Sequence, residues 1–166
     1  MYILGVNPTD VWKDGEFATP GGAVPTDNVV GVQPGVRGID DAGNEYVAVE
    51  AGTGGWAQYD ALVRTGHGVA RKMTSTLAKS GMLMGVGQAT VAAGEFGWML
   101  IMSQEATIAT EGAIAVGVKI YTHATAGHVD DSTASGAKEI KGIVAPANIG
   151  AGADHGTFEM TYPHIA

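Results

Sequence analysis

Four potential metal donors lie close together in the chain: His123, His128, Asp130 and Asp131. A metal held by protein side chains needs three or four such donors to converge. The H-x4-H spacing carries the two histidines across a turn at Ala126-Gly127, which leaves convergence open. A solvated hairpin tip has the same composition, and it is the reading we favour. Two adjacent carboxylate pairs occur, Asp40-Asp41 and Asp130-Asp131. Glycosidases set their two carboxylates on opposite sides of a cleft, whereas neighbouring aspartates bend turns and face water. Trp56 and Trp98 are the candidates for stacking on a sugar, although a Trp beside β-formers more often serves a core or an interface. Met82, Met84, Met99 and Met102 read as core filler on paired strands.

Other chemistry lacks its residues. There is no G-x-x-x-x-G-K-[ST] phosphate loop, no H-E-x-x-H pair and no EF-hand loop. Gly85-x-Gly87 lacks the third glycine of a dinucleotide fingerprint. A G-x-S-x-G nucleophile elbow is absent too. Nothing in the sequence sets a nucleophile, a base and an oxyanion site together. The expectation is a protein with no catalytic residue, no cofactor and no metal.

Charge and cysteine content narrow the partners. The formal net charge is −8, and the nine Lys and Arg do not cluster. Nucleic-acid affinity draws on cationic side chains that release counterions, so the sequence predicts no nucleic-acid partner. It gives no support for an anionic membrane surface either. With no cysteine, disulfides and thiolate sites are excluded. The first ten residues lack the basic start and apolar core of a signal peptide, and no apolar run approaches the ~20 residues that span a bilayer. Synthesis in the cytoplasm is the expectation.

The elements that must position these residues read as strands. The 26 glycines and the 16% of charged residues favour a turn-rich all-β fold. The run 85–102, GVGQATVAAGEFGWMLIM, is strand, tight turn and strand, with Glu95 as its only charge, at the tip. Strands are expected at 82–90 and 98–102, around a turn at 92–97. Asp41-Ala42-Gly43-Asn44 is a second turn, because Gly and Asn tolerate positive φ, and Tyr46, Val47 and Val49 follow it as β-formers. Further strands are expected at 69–76, 116–122, 140–144 and 157–162, the last ended by Pro163. The stretch 57–63 fits a helical turn or a strand. Residues 104–115 have room for one short helix, weakened by β-branched Thr107, Ile108 and Thr110.

Residues 1–35 read as an extended N-terminal arm, with Pro8, Pro20, Pro25 and Pro34 spread along it. It carries Tyr2, Trp12 and Phe17, large apolar groups that a disordered tail is poor in. Two readings stand side by side: these groups pack on their own domain, or they contact a neighbouring subunit or capsid. The fold class is thus all-β, a compact β-barrel or β-sandwich-like domain over 36–166 behind an arm over 1–35. A faint echo links Gly85-Val86 … Val91 … Ala93-Gly94 … Gly97 with Gly142-Ile143 … Ile149 … Ala151-Gly152 … Gly156. Two slips in so short a span favour shared hairpin grammar over duplication.

The segment 85–102, with 111–131 (EGAIAVGVKIYTHATAGHVDD), resembles a family of small tailed-phage virion proteins, the head decoration or cement proteins. The matching residues are Gly85-Val86-Gly87, then Ala92-Ala93-Gly94-Glu95-Phe96-Gly97-Trp98, then 117–131 with Tyr121, Thr122, Ala126, Gly127, Asp130 and Asp131. The resemblance covers about half the chain. It implies a structural protein on the outer surface of a virion, bridging subunits of the major capsid protein as a homo-oligomer, with a trimer favoured. It carries no catalytic residue to transfer. A tail or head-fibre component, and then a carbohydrate-binding β module, are the alternative expectations.

Overall fold

The computed structural model describes residues 2–12, 33–66 and 68–166. Over these residues the chain is all-β, with twelve strands and no helix. In chain order the strands are β1 (Tyr2–Leu4), β2 (Val11–Trp12), β3 (Arg37–Ile39), β4 (Glu45–Ala51), β5 (Ala61–Arg64) and β6 (Val69–Lys72). They continue as β7 (Met84–Gly87), β8 (Phe96–Ala109), β9 (Ile120–Thr122), β10 (Val129–Asp130), β11 (Glu139–Val144) and β12 (His155–Ile165).

The pairings close into two rings. β4 pairs with β6, β6 with β5, β5 with β7, β7 with β8, and β8 with β4. β8 then pairs with β12, β12 with β11, β11 with β9, and β9 with β10. Thr110, one residue past β8, bridges in parallel to Val129 of β10 and completes the second ring. β8 therefore belongs to both small barrels. At Met102 it lies between Glu45 of β4 and Thr161 of β12. Closure of this kind is how antiparallel folds remove free strand edges.

The two rings are one motif used twice. In the first, Val47, Ala48, Val49 and Glu50 pair with Met99, Trp98, Gly97 and Phe96. Adding 59 to every number gives the pairing of Ala106, Thr107, Ile108 and Ala109 with Phe158, Thr157, Gly156 and His155, the register of the second ring. The Ala51 N–H donates to the Glu95 carbonyl, and the Thr110 N–H donates to that of Asp154. Trp56 and Val91 exchange two backbone hydrogen bonds across a bridge, and Ile114 and Ile149 do the same. The parallel contact of Ala51 with Ala70 recurs as Thr110 with Val129. The echo between 85–97 and 142–156 is thus a structural repeat and not merely hairpin grammar. The slips are loop-length differences between the two copies.

Each ring needs its own filling. In the first, Val47, Val49, Leu62, Met99 and Ile101 point inward, and Trp56 and Val91 close the end. The alternate residues Tyr46, Ala48, Trp98 and Leu100 join a second core with Ile108, Ile120, Ile140, Phe158 and Met160. Strands buried on both faces read as continuous apolar runs, which explains GWMLIM in β8. A Cβ at Gly87 would lie 2.6 Å from Trp56 Cδ1, so β7 carries glycine where the indole passes.

Several expected boundaries move. Of residues 104–115, expected to have room for a helix, 104–109 are the second half of β8, drawn into strand by β12. Val116-Gly117 forms a turn, and the strand starts at Ile120. Pro163 does not end the last strand: it lies buried inside β12, just after Tyr162 at φ 47. Of the stretch read as an arm, residues 2–4 and 11–12 are strands of the sheet, paired with β3 and β8. Residues 13–32 lie outside the described residues.

Candidate functional site

The histidines of the 123–131 segment meet a different carboxylate from the neighbouring aspartates. His128 Nδ1 lies 3.0 Å from Glu111 Oε2 and 3.2 Å from the Thr110 carbonyl. His123 Nδ1 is 3.8 Å from the same Glu111 oxygen and accepts the Thr125 N–H at 3.0 Å. Asp130 instead accepts the Asp131 N–H at 2.8 Å, and Asp131 accepts the Ala115 N–H at 3.3 Å. Among the described residues no three His, Asp or Glu side chains gather as a metal site. Glu111 was not legible as their partner, because the bridge between Thr110 and Val129 is what brings it there.

The first aspartate pair is a turn device. Asp40 accepts the backbone N–H groups of Ala42 and Asn44, the Asn44 side-chain amide, and the Tyr46 hydroxyl at 2.7 Å. Partial burial pushes its carboxyl upward, but the hydrogen bonds from Tyr46, Asn44 and Ala42 outweigh it and hold the group below its ordinary value. The Tyr46 phenol is pushed well up, by burial first and then by Asp40. Asp10 is raised by burial, partly offset by the Asn7 amide. On β11, Glu139 is lowered by its hydrogen bond from Lys141 and then by Lys119.

A further carboxylate joins the two rings. Asp60, 7% exposed, accepts the Ala57 N–H at 2.7 Å and faces Lys72 at 3.3 Å. Gly127 packs against it at φ 87, while its N–H donates to the Met73 carbonyl and its carbonyl accepts the Ala61 N–H. Only glycine adopts that φ readily and allows so close an approach. Gly127, expected in a hairpin turn, is therefore the point where the second ring's loop seats on the first.

The aromatic candidates are internal. Trp56 is 2% exposed and Trp98 is 3% exposed, so neither offers a face to a sugar. Trp12 is 4% exposed, stacked on Phe96 at 6.2 Å and tilted against Trp98 at 5.6 Å. Trp12 thus packs against two aromatic residues of its own chain. Tyr2 lies on β1, and its backbone pairs with Arg37. Phe17, the third contact candidate, lies outside the described residues.

A groove of about 850 Å³ lies beside the second half of β8. The 42–44 turn, residues 102–105 of β8 and residues 159–161 of β12 line it. Glu105 and Glu159 make it acidic. This groove was not legible beforehand, because it arises where β4 leaves β8 at Met102 while β8 runs on. No protein-family model matches the chain, and no curated protein is significantly similar to it in sequence.

Proposed function

We propose that this chain is a structural virion protein that binds the outer surface of a phage capsid and stabilises the shell by bridging subunits of the major capsid protein. The observation that carries the reading is the resemblance of 85–102 and 117–131 to head decoration proteins. These segments lie on β7, β8, β9 and β10 and include the strand shared by both rings. An acidic chain suits an outer surface away from packaged DNA. Two rings of matching register fixed to one strand suit a protein that contacts two neighbouring subunits. Attachment at many symmetric positions favours a homo-oligomer, and the resemblance implies a trimer. Several weak contacts joined in that way act as one strong one. In this reading the chain performs no chemical step and needs no cofactor.

The test is the copy number of this chain relative to the major shell protein in purified particles. Hundreds of copies in simple ratio to the shell are expected. A handful per particle would assign the chain to a vertex, the tail or a fibre. Absence from particles would overturn the virion reading.

A further inference from the structure

One edge of β8 is left open by both rings. From Met102 to Ala109 one side of the strand pairs with β12. Among the described residues no strand lies along the other side beyond Met102, where β4 ends its pairing. The Ala109 N–H points to that free side, where it meets the Tyr59 carbonyl at 3.0 Å. Backbone groups alternate in direction along a strand, so Thr107 presents its N–H and C=O to the same side. The Glu105 N–H is held by Ser103 Oγ at 3.0 Å, opposite the register shift between Phe158 and Met160. This edge runs into the acidic groove.

The repeat indicates what fits there. In the first ring β3 lies antiparallel along β4, pairing Arg37, Gly38 and Ile39 with Val47, Tyr46 and Glu45. Displaced by 59 residues, positions 45–47 become Gln104, Glu105 and Ala106. The described part of the second ring has no counterpart of β3. We propose that residues 104–107 accept an extended, positively charged segment of a partner protein as an added antiparallel strand.

Charge selects the occupant. Glu105 and Glu159 line the groove, and no Lys, Arg or His does. In the first ring the strand in the corresponding place brings Arg37, whose guanidinium lies 3.7 Å from Glu45. This chain's own residues 1–35 carry Asp10, Asp14, Glu16 and Asp27 against Lys13 alone, so the arm of a second copy would bring like charge. Natural sheets blunt open edges with charges and bulges. Here the bulge, the Ser103 hydroxyl and Glu105 hold the edge against self-pairing until a cationic strand displaces that hydroxyl. Strand addition of this kind takes its affinity from main-chain hydrogen bonds and its specificity from side chains. The inference does not depend on the capsid reading.

The experiment is titration of the ¹⁵N-labelled full chain with a synthetic peptide of residues 35–39 flanked by lysines. Shift changes at 103–107 and 42–44, with slowed exchange of the Thr107 amide, are expected. The charge-reversed pair Glu105→Lys with Glu159→Lys is expected to weaken binding about tenfold or more, and the Gln pair by an intermediate amount. No shift changes up to the solubility limit of the peptide, changes elsewhere, or equal affinity of all variants would overturn the proposal. Concentration-dependent changes at 103–107 without peptide would give the edge to a second copy and overturn the cationic partner.

Discussion

A Cβ on Gly97 would lie 2.8 Å from Cγ2 of Val91, so this position of β8 holds glycine in order that the loop end can close the first ring. Gly156 stands in the same relation to Ile149 in the second ring. Neither glycine has a positive φ, so the constraint is steric. Overpacking a filled core typically costs about 1–3 kcal/mol, and Gly97→Ala is expected in that range. Gly156→Ala is expected to cost less, because the added methyl meets the far end of a half-buried isoleucine. Val91 is stiff, 2% exposed and backed by Trp56. Urea unfolding of the two variants checks this order, and a larger loss for Gly156→Ala would contradict it.

The Asp40 carboxyl titrates below its ordinary value because Tyr46, Asn44 and Ala42 bind its charged form. A depressed carboxyl contributes stability that is present above the unfolded pKa of about 3.9 and lost as pH falls through the folded value. Tyr46→Phe removes one donor and moves the folded value back up. The variant is expected to lose about 1 kcal/mol near neutral pH, the low end for a bond to a charged group in a solvent-screened site. It should also lose stability less steeply on the acid side. Urea midpoints from pH 2 to 7 for both proteins test the sign, and parallel curves would exclude the role of Tyr46.

How far these features could be read beforehand differs by residue. Asp41 to Asn44 was legible as a turn because its chemistry is local: short polar side chains and a glycine at φ 83. The strand after it was legible from the β-formers Tyr46, Val47 and Val49. The second half of β8 was not, since Thr107, Ile108 and Thr110 fit several local structures and only pairing with β12 decides among them. The duplication was visible as an echo but too degenerate to trust, because most of it is carried by register rather than residue type. Val49 and Gly97 correspond to Ile108 and Gly156, a match seen only once the strands are aligned. The groove was illegible for the same reason: it is set by where one strand stops and another continues.

Trp12 separates the two readings of the N-terminal segment. It fills space between Phe96 and Trp98 inside its own chain. Trp12→Ala is expected to cost about 3–5 kcal/mol, the range for removing a large buried aromatic. The association state at a concentration where the variant stays folded should be unchanged. Calorimetry paired with sedimentation tests both halves, and subunit dissociation with unchanged stability would instead assign Trp12 to an interface.

His123 and His128 both face Glu111, while Asp130 and Asp131 accept backbone N–H groups. Strong metal binding needs more donors converging than this arrangement supplies. Incubation with a chelator is expected to leave the melting temperature within error. A clear drop would mean that these side chains rearrange around a metal ion.

The sharing of β8 bears on how the molecule unfolds. Its first half supplies Gly97, Met99 and Ile101 to one ring, and its second half supplies Ile108 to the other. Gly127 and Asp60 add a second join between the rings. A unit that opens must take the shared strand from its neighbour, so a single cooperative transition is expected despite the duplication. The side chains provide separate reporters. Trp56 packs inside the first ring, and Trp12 and Trp98 pack in the core that both rings share, whereas His123, His128, His155 and His164 lie on or beside strands of the second. Tryptophan emission and histidine proton resonances, followed along one urea series, should give the same midpoint and slope. Two separated midpoints would mean that one ring holds its structure after the other has released β8, and that the repeat behaves as two units rather than one.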